Sequence, residues 1–110
     1  MLTQEKYSFS VVYDEYLNFK KSELKEQSFI SLKYNFEKYI LPFFKNYYLE
    51  SITKKTILEW KTYILNFNFS NNYNRTLFFD LSGFFEYCKI NYDVDKLIIS
   101  NGRISEKEIN

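Results

Sequence analysis

The chain has 110 residues, 45% of them hydrophobic and 22% aromatic, with two glycines, one proline and a formal net charge of +1. That composition supplies core for one ordinary domain and excludes a disordered linker, a turn-rich all-β fold and a protein basic enough to bind nucleic acid through bulk charge. A single cysteine and no histidine exclude an internal disulfide, a multi-cysteine zinc site and imidazole-based catalysis or metal ligation in this chain.

Residues 1–7 are polar and read as a disordered N-terminal segment. A first helix is expected from Ser8 or Ser10 to about Lys21. Phe9, Val12, Tyr13, Tyr16 and Leu17 share one face at helical spacing, and Lys20 and Lys21 fall in the last turn, where the helix dipole favours cations. A charged connection, Ser22 to Gln27, comes next.

The second helix is the centre of the chain. Phe29, Leu32, Phe36 and Ile40 recur at spacings of three and four. Ser28 is placed to cap this run, and Pro42 is expected to stop it at Leu41. Its opposite face carries Ser31, Tyr34 and Lys38, with Gln27 at the start and Lys33 near the edge. Phe43 to Ser51 has no clear period but too many apolar groups for a free loop, so it should pack against the bundle.

Thr53 is a plausible N-cap for a third helix to about Leu65, with Ile57, Trp60 and Ile64 facing inward. Trp60 reads as core. Asn66 to Asn72 reads as a loop. The fourth helix is expected from Tyr73 to about Asn91, with Tyr73, Leu77, Leu81, Phe84 and Cys88 sharing a face and Phe78 and Phe85 flanking it on one side. Asn72, Arg75, Phe79 and Glu86 lie opposite, with Thr76 and Gly83 on the shoulder. Cys88, among aromatic neighbours, reads as a buried structural thiol. Gly83 either permits a close approach or clears space for a neighbouring helix. Asp93 to Leu97 has room for one short extra turn, and residues 98–110 read as a linker or tail.

Four helices with short connections define an all-α fold, a compact four-helix bundle. Charge is uneven along it. Between Lys20 and Lys61 nine lysines face five glutamates, which suits either a solvated surface or a phosphate-facing side. No apolar run reaches the length of a membrane span and no signal peptide is visible, so the expectation is a cytoplasmic protein with no membrane partner.

The order of these signals resembles the SAM-like, core-binding N-terminal domain of phage-integrase-type tyrosine recombinases. The resemblance rests on Tyr16-Leu17 closing the first helix and on Ser28 with Ile40-Leu41-Pro42-Phe43-Phe44 framing the second. It continues through Leu49 and Ile52-Thr53 before the third, and Asn74-Arg75, Leu77, Leu81, Phe84-Phe85 and Cys88 in the fourth. It spans about Phe9 to Leu97 and implies a DNA-binding domain over residues 8–97, with 98–110 as an interdomain linker.

The resemblance also implies double-stranded DNA as partner, with no cofactor. It implies a separate C-terminal catalytic domain carrying a tyrosine nucleophile, two arginines, a lysine and histidines, and other recombinase protomers on the same DNA. This chain, with two arginines and no histidine, does not hold that catalytic set. In the family the second and fourth helices face the major groove, which here implicates Gln27, Ser28, Ser31, Lys33, Tyr34, Lys38, Asn72, Arg75 and Thr76. Ser28 has the alternative reading of a cap, and Arg75 that of a salt-bridge partner within the bundle. Asn74 caps helix four or orders the loop. A helical protein–protein interaction domain is the alternative function, marked by exposed apolar groups such as Tyr34, Phe79 or Tyr47-Tyr48.

Overall fold

The computed structural model describes residues 7–92. Four helical rods form the fold, and among the described residues extended pairing is limited to one antiparallel bridge, Ser8 to Tyr48. The expected frayed segment, the extra turn at Asp93 to Leu97 and the linker from Ile98 lie, apart from Tyr7, outside the described residues.

Helix α1, Phe9–Glu23, buries Phe9, Val12, Tyr13 and Tyr16 and keeps Lys20 and Lys21 in its last turn. The second rod departs from expectation at both ends. Its first part, α2, runs Glu26–Asn35 and has Lys25 at its N-cap position with no side-chain cap. Ser28 therefore lies inside the first turn and does not cap the helix. Nor does the rod stop at Leu41. A π turn, Phe36–Ile40, leads directly into α3, Leu41–Phe44.

The π turn explains how the rod passes its proline. The Leu41 N–H donates to the Phe36 carbonyl, five residues back, while Leu41 itself is helical at φ −60°, ψ −41°. Pro42 then occupies the first turn of α3, where a missing N–H costs nothing. A residue inserted by a π turn also rotates the downstream part of the rod by roughly 100° relative to an unbroken helix. Leu32, Phe36 and Ile40 are buried as expected, whereas Phe29 is only half-buried.

The aperiodic stretch after α3 packs down, with Phe44 and Leu49 fully buried. Leu49–Ser51 is a 3-10 turn. The Phe9 N–H donates to the Tyr47 carbonyl at 3.0 Å and the Leu49 N–H to the Tyr7 carbonyl at 2.8 Å, tying this stretch to the start of α1.

Helix α4, Lys54–Leu65, begins with a reciprocal cap. The Thr56 N–H donates to Thr53 Oγ1 at 3.3 Å and the Thr53 N–H to Thr56 Oγ1 at 3.1 Å. Thr53→Ala removes one acceptor from an otherwise orphaned helix start and is expected to cost about 1 kcal/mol in urea unfolding, with Thr53→Ser largely sparing it. Ile57, Trp60 and Ile64 are buried, and so is Lys61, whose ammonium lies 5.2 Å from the centre of the Phe78 ring. Lys61 therefore does not contribute to a basic surface, although it ends the lysine-rich stretch.

Helix α5, Asn71–Tyr92, starts two residues before the expected Tyr73. Ser70 caps it, its Oγ accepting from the Tyr73 N–H at 3.2 Å. Asn74 is buried and is not the cap. Leu77, Phe78, Leu81, Phe84, Phe85 and Cys88 face the core. Phe9 joins the rods at the centre, with ring centroids 5.0 Å from Phe44 and 4.6 Å from Phe84.

Candidate functional site

The polar faces of α2 and α5 meet along an open groove of about 570 Å³, lined also by Tyr16 and Lys20 of α1. Helix α2 contributes Gln27, Ser28, Ser31 and Asn35, because residues three and four apart share a helical face. Helix α5 contributes Thr76, Phe79, Asp80 and Gly83 by the same spacing. Two smaller hollows adjoin it. One is lined by Ile30, Ser31, Tyr34, Asn35, Tyr73 and Thr76, the other by Asn72, Arg75, Thr76 and Phe79. Thr76 lines all three, so they form one continuous surface.

Seven of the residues named from sequence thus converge: Gln27, Ser28, Ser31, Tyr34, Asn72, Arg75 and Thr76. Lys33 and Lys38 line none of these hollows. Both are exposed, and the Lys33 ammonium lies 3.9 Å from the Glu37 carboxylate. Lys38 falls in the π turn, so it is out of phase with the face that Ser31 and Tyr34 occupy. Arg75 is exposed, and its Nη1 donates to Asn72 Oδ1 at 3.4 Å. Among the described residues it makes no ion pair.

Phe79, which the sequence pattern put on the outer face of its helix, also lines the groove, as do Lys20, Asn35 and Asp80, which the pattern did not assign to it. A signal existed. Asn35 follows Ser31 by four residues and Asp80 follows Thr76 by four, each continuing a polar line. A Cβ built on Gly83 would meet the Tyr16 hydroxyl at 3.4 Å, an ordinary contact, so packing does not demand glycine there.

The groove floor is a side-chain network joining the two helices. Asn35 Nδ2 donates to Asp80 Oδ2 at 2.9 Å, and the Tyr73 hydroxyl donates to Asn35 Oδ1. Burial pushes the Asp80 carboxyl up to about 6, against the opposing effect of the Asn35 hydrogen bond. Folded Asp80 therefore holds a proton over a range in which the unfolded chain has released it. This carboxyl favours folding most at low pH, and its contribution is lost as pH rises from about 4 through 6.

Asp80→Asn keeps an acceptor for Asn35 without the charge. At pH 7 it is expected to stabilise the domain by about 1–3 kcal/mol, and the gain should vanish near pH 4. Urea midpoints of both proteins at the two pH values check this.

Cys88 is buried beneath the aromatic core, and burial pushes its thiol up, away from nucleophilic character. Among the described residues no group of three or more Cys, Asp or Glu side chains is placed to hold a metal ion, and no helix is long and apolar enough to cross a membrane.

A family model described as phage integrase, N-terminal SAM-like domain, matches residues 8–65, which span α1 to the end of α4. No curated protein and no solved structure matches the chain.

Proposed function

Since this chain belongs to the family of phage integrase N-terminal SAM-like domains, we propose that it grips duplex DNA as the core-site-binding part of a site-specific tyrosine recombinase from a phage or mobile element. The observation that carries this reading is the shared surface of α2 and α5, where Gln27, Ser31, Asn72, Arg75 and Thr76 stand together on two neighbouring helices. A major groove about 12 Å wide admits helices, and amides, hydroxyls and a guanidinium are the groups that read base edges. Arg75 is the fork for guanine or for two phosphates. Ser28, no longer needed as a cap, is a phosphate donor. Lys33 and Lys38, exposed on the same rod but outside the groove, act on the DNA backbone, setting position without reading sequence.

In this reading the domain supplies grip and no chemistry. A separate catalytic domain of the parent chain supplies the nucleophile and completes a clamp around the duplex, and further protomers assemble on the same DNA. With few cations engaged, the isolated domain binds weakly, and its affinity falls with salt in proportion to that small number of phosphate contacts.

An NMR titration with a short duplex tests the reading. Amide shifts confined to residues around Ser31, Asn72, Arg75 and Thr76, fading as salt rises, are the expected result. A folded sample that shows no shifts at low salt with excess duplex overturns it.

One observation favours a second reading. Phe79 is 76% exposed, Tyr34 51% and Ile30 50%, and all three edge the same surface. As a protein–protein interface this face would self-associate or bind a helical partner without DNA, which sedimentation of the free domain distinguishes.

A further inference from the structure

The α2–α5 groove carries a carboxylate at the place where a polyanion would lie. Asp80 lines the groove, yet it is largely withdrawn from water. Its Oδ2 accepts from Asn35, whose Oδ1 in turn accepts from the Tyr73 hydroxyl, so the carboxyl is held towards the groove by a two-link network. Among the described residues it has no ion-pair partner. The groups that face it are Tyr16 and Lys20 from α1, Gln27, Ser31 and Asn35 from α2, and Tyr73 and Thr76 from its own helix. Lys20 is engaged by Glu23 at 2.8 Å, and neither the π turn nor α4 lines this groove.

We propose that occupation of the α2–α5 groove by duplex DNA is coupled to uptake of one proton by Asp80, which makes this residue a pH-sensitive determinant of DNA binding. The inference rests on the duplex-binding reading above. Two physical effects act in the same direction. Phosphates bring negative charge towards a carboxylate, and an occupied groove removes water from a group that is already poorly solvated; both favour the neutral acid. The proton comes from solvent and sits on Oδ1, because Oδ2 already accepts from Asn35. The neutral acid then offers the groove an O–H donor where an anion stood.

Coupling is reciprocal. If DNA favours the protonated acid, acid pH favours DNA. Burial places the Asp80 transition near pH 6, and the chain has no histidine. Other carboxylates ordinarily titrate near 4, which leaves the interval from about 5 to 7 clear for a single group to be seen.

The test is fluorescence anisotropy of a labelled A/T- and G/C-mixed duplex of about 20 base pairs against the full chain, at constant ionic strength, from about pH 5 to 8. The wild type is expected to bind about five- to tenfold more tightly at pH 5 than at pH 8, with the change centred near or just above pH 6. Asp80→Asn is expected to bind at pH 8 about as tightly as the wild type does at pH 5, with no slope between.

Calorimetry of the wild type in two buffers of different ionisation enthalpy, at pH 7, is expected to show fractional proton uptake, and this arm requires no variant to fold. Binding with no pH dependence and no proton uptake overturns the coupling and leaves duplex binding intact. An unchanged slope in Asp80→Asn assigns the proton elsewhere and also overturns it. A folded wild type that binds no duplex at any pH removes the duplex reading, and this inference with it.

Discussion

Replacing Trp60 with alanine is expected to destabilise the domain by about 3–5 kcal/mol, a large share of the roughly 5–15 kcal/mol that a domain of this size has to lose. Trp60 is fully buried, with ring centroids 6.1 Å from Phe44 and 5.7 Å from Phe78, so truncation opens a large cavity between α3, α4 and α5. It also removes a bond that no apolar residue replaces. Trp60 Nε1 donates to the Tyr39 carbonyl, inside the π turn, at 3.0 Å. Trp60→Phe separates the two effects. It retains most of the packing and leaves the Tyr39 carbonyl without its donor, for an expected cost of about 1–3 kcal/mol. Far-UV circular dichroism in a urea series measures both, since tryptophan fluorescence is lost with the side chain. A loss below about 1 kcal/mol for the alanine variant would show that the core tolerates collapse at this point.

The second large effect concerns binding. Arg75→Ala is expected to weaken duplex binding by about 1–3 kcal/mol and to lower the slope of log affinity against log salt by about 1. Arg75 is exposed on the face shared by α2 and α5, and its only hydrogen bond among the described residues is to Asn72 on its own helix. Its removal should therefore leave the fold intact, which thermal unfolding verifies. Arg75→Lys keeps the charge and loses the fork. If Arg75 reads a base, the lysine variant retains the salt slope and still loses affinity; if it only neutralises phosphate, lysine restores both. Lys38→Ala is the comparison, because Lys38 is exposed but lines no part of the groove. It should lower the salt slope with little dependence on DNA sequence.

Thr53 shows what a local signal reveals. A threonine ahead of a periodic run needs only the next three residues to form its cap, and the structure has that cap. Ser28 shows where the same argument fails. It precedes an equally good run, but α2 begins at Glu26 with Lys25 at its N-cap position; Lys25, Glu26, Gln27 and Ser28 are all exposed, and the acidic Glu26 in the first turn suits the helix dipole. Pro42 is the larger departure. Stopping a helix is the local preference of proline, but Phe36, Ile40 and Phe44 are all fully buried, and breaking the rod would remove them from the core. The π turn satisfies both demands, with the Trp60 N–H bonded to a carbonyl within it.

The site divides along the same line. That Gln27, Ser31 and Tyr34 share a face, and that Asn72, Arg75 and Thr76 share another, results from helical period alone. The pairing of Asn35 with Asp80 and the burial of Lys61 were not legible in this way. Asn35 and Asp80 are 45 residues apart in the chain, and neither side chain has a local pattern that announces the other. Lys61 sits in a lysine-rich stretch that reads as surface, and only the packing of α4 on α5 shows it buried.

By itself, then, the sequence determined the all-α class, the rods, the family resemblance and the polar stripe on each rod, because period, caps and composition act within a few residues. The tertiary structure alone decided how the stripes of α2 and α5 combine, which lysines stand outside their groove and that a carboxylate lies on its floor. Those outcomes depend on the phase added by one π turn and on contacts between residues distant in sequence, whose energies no local pattern encodes.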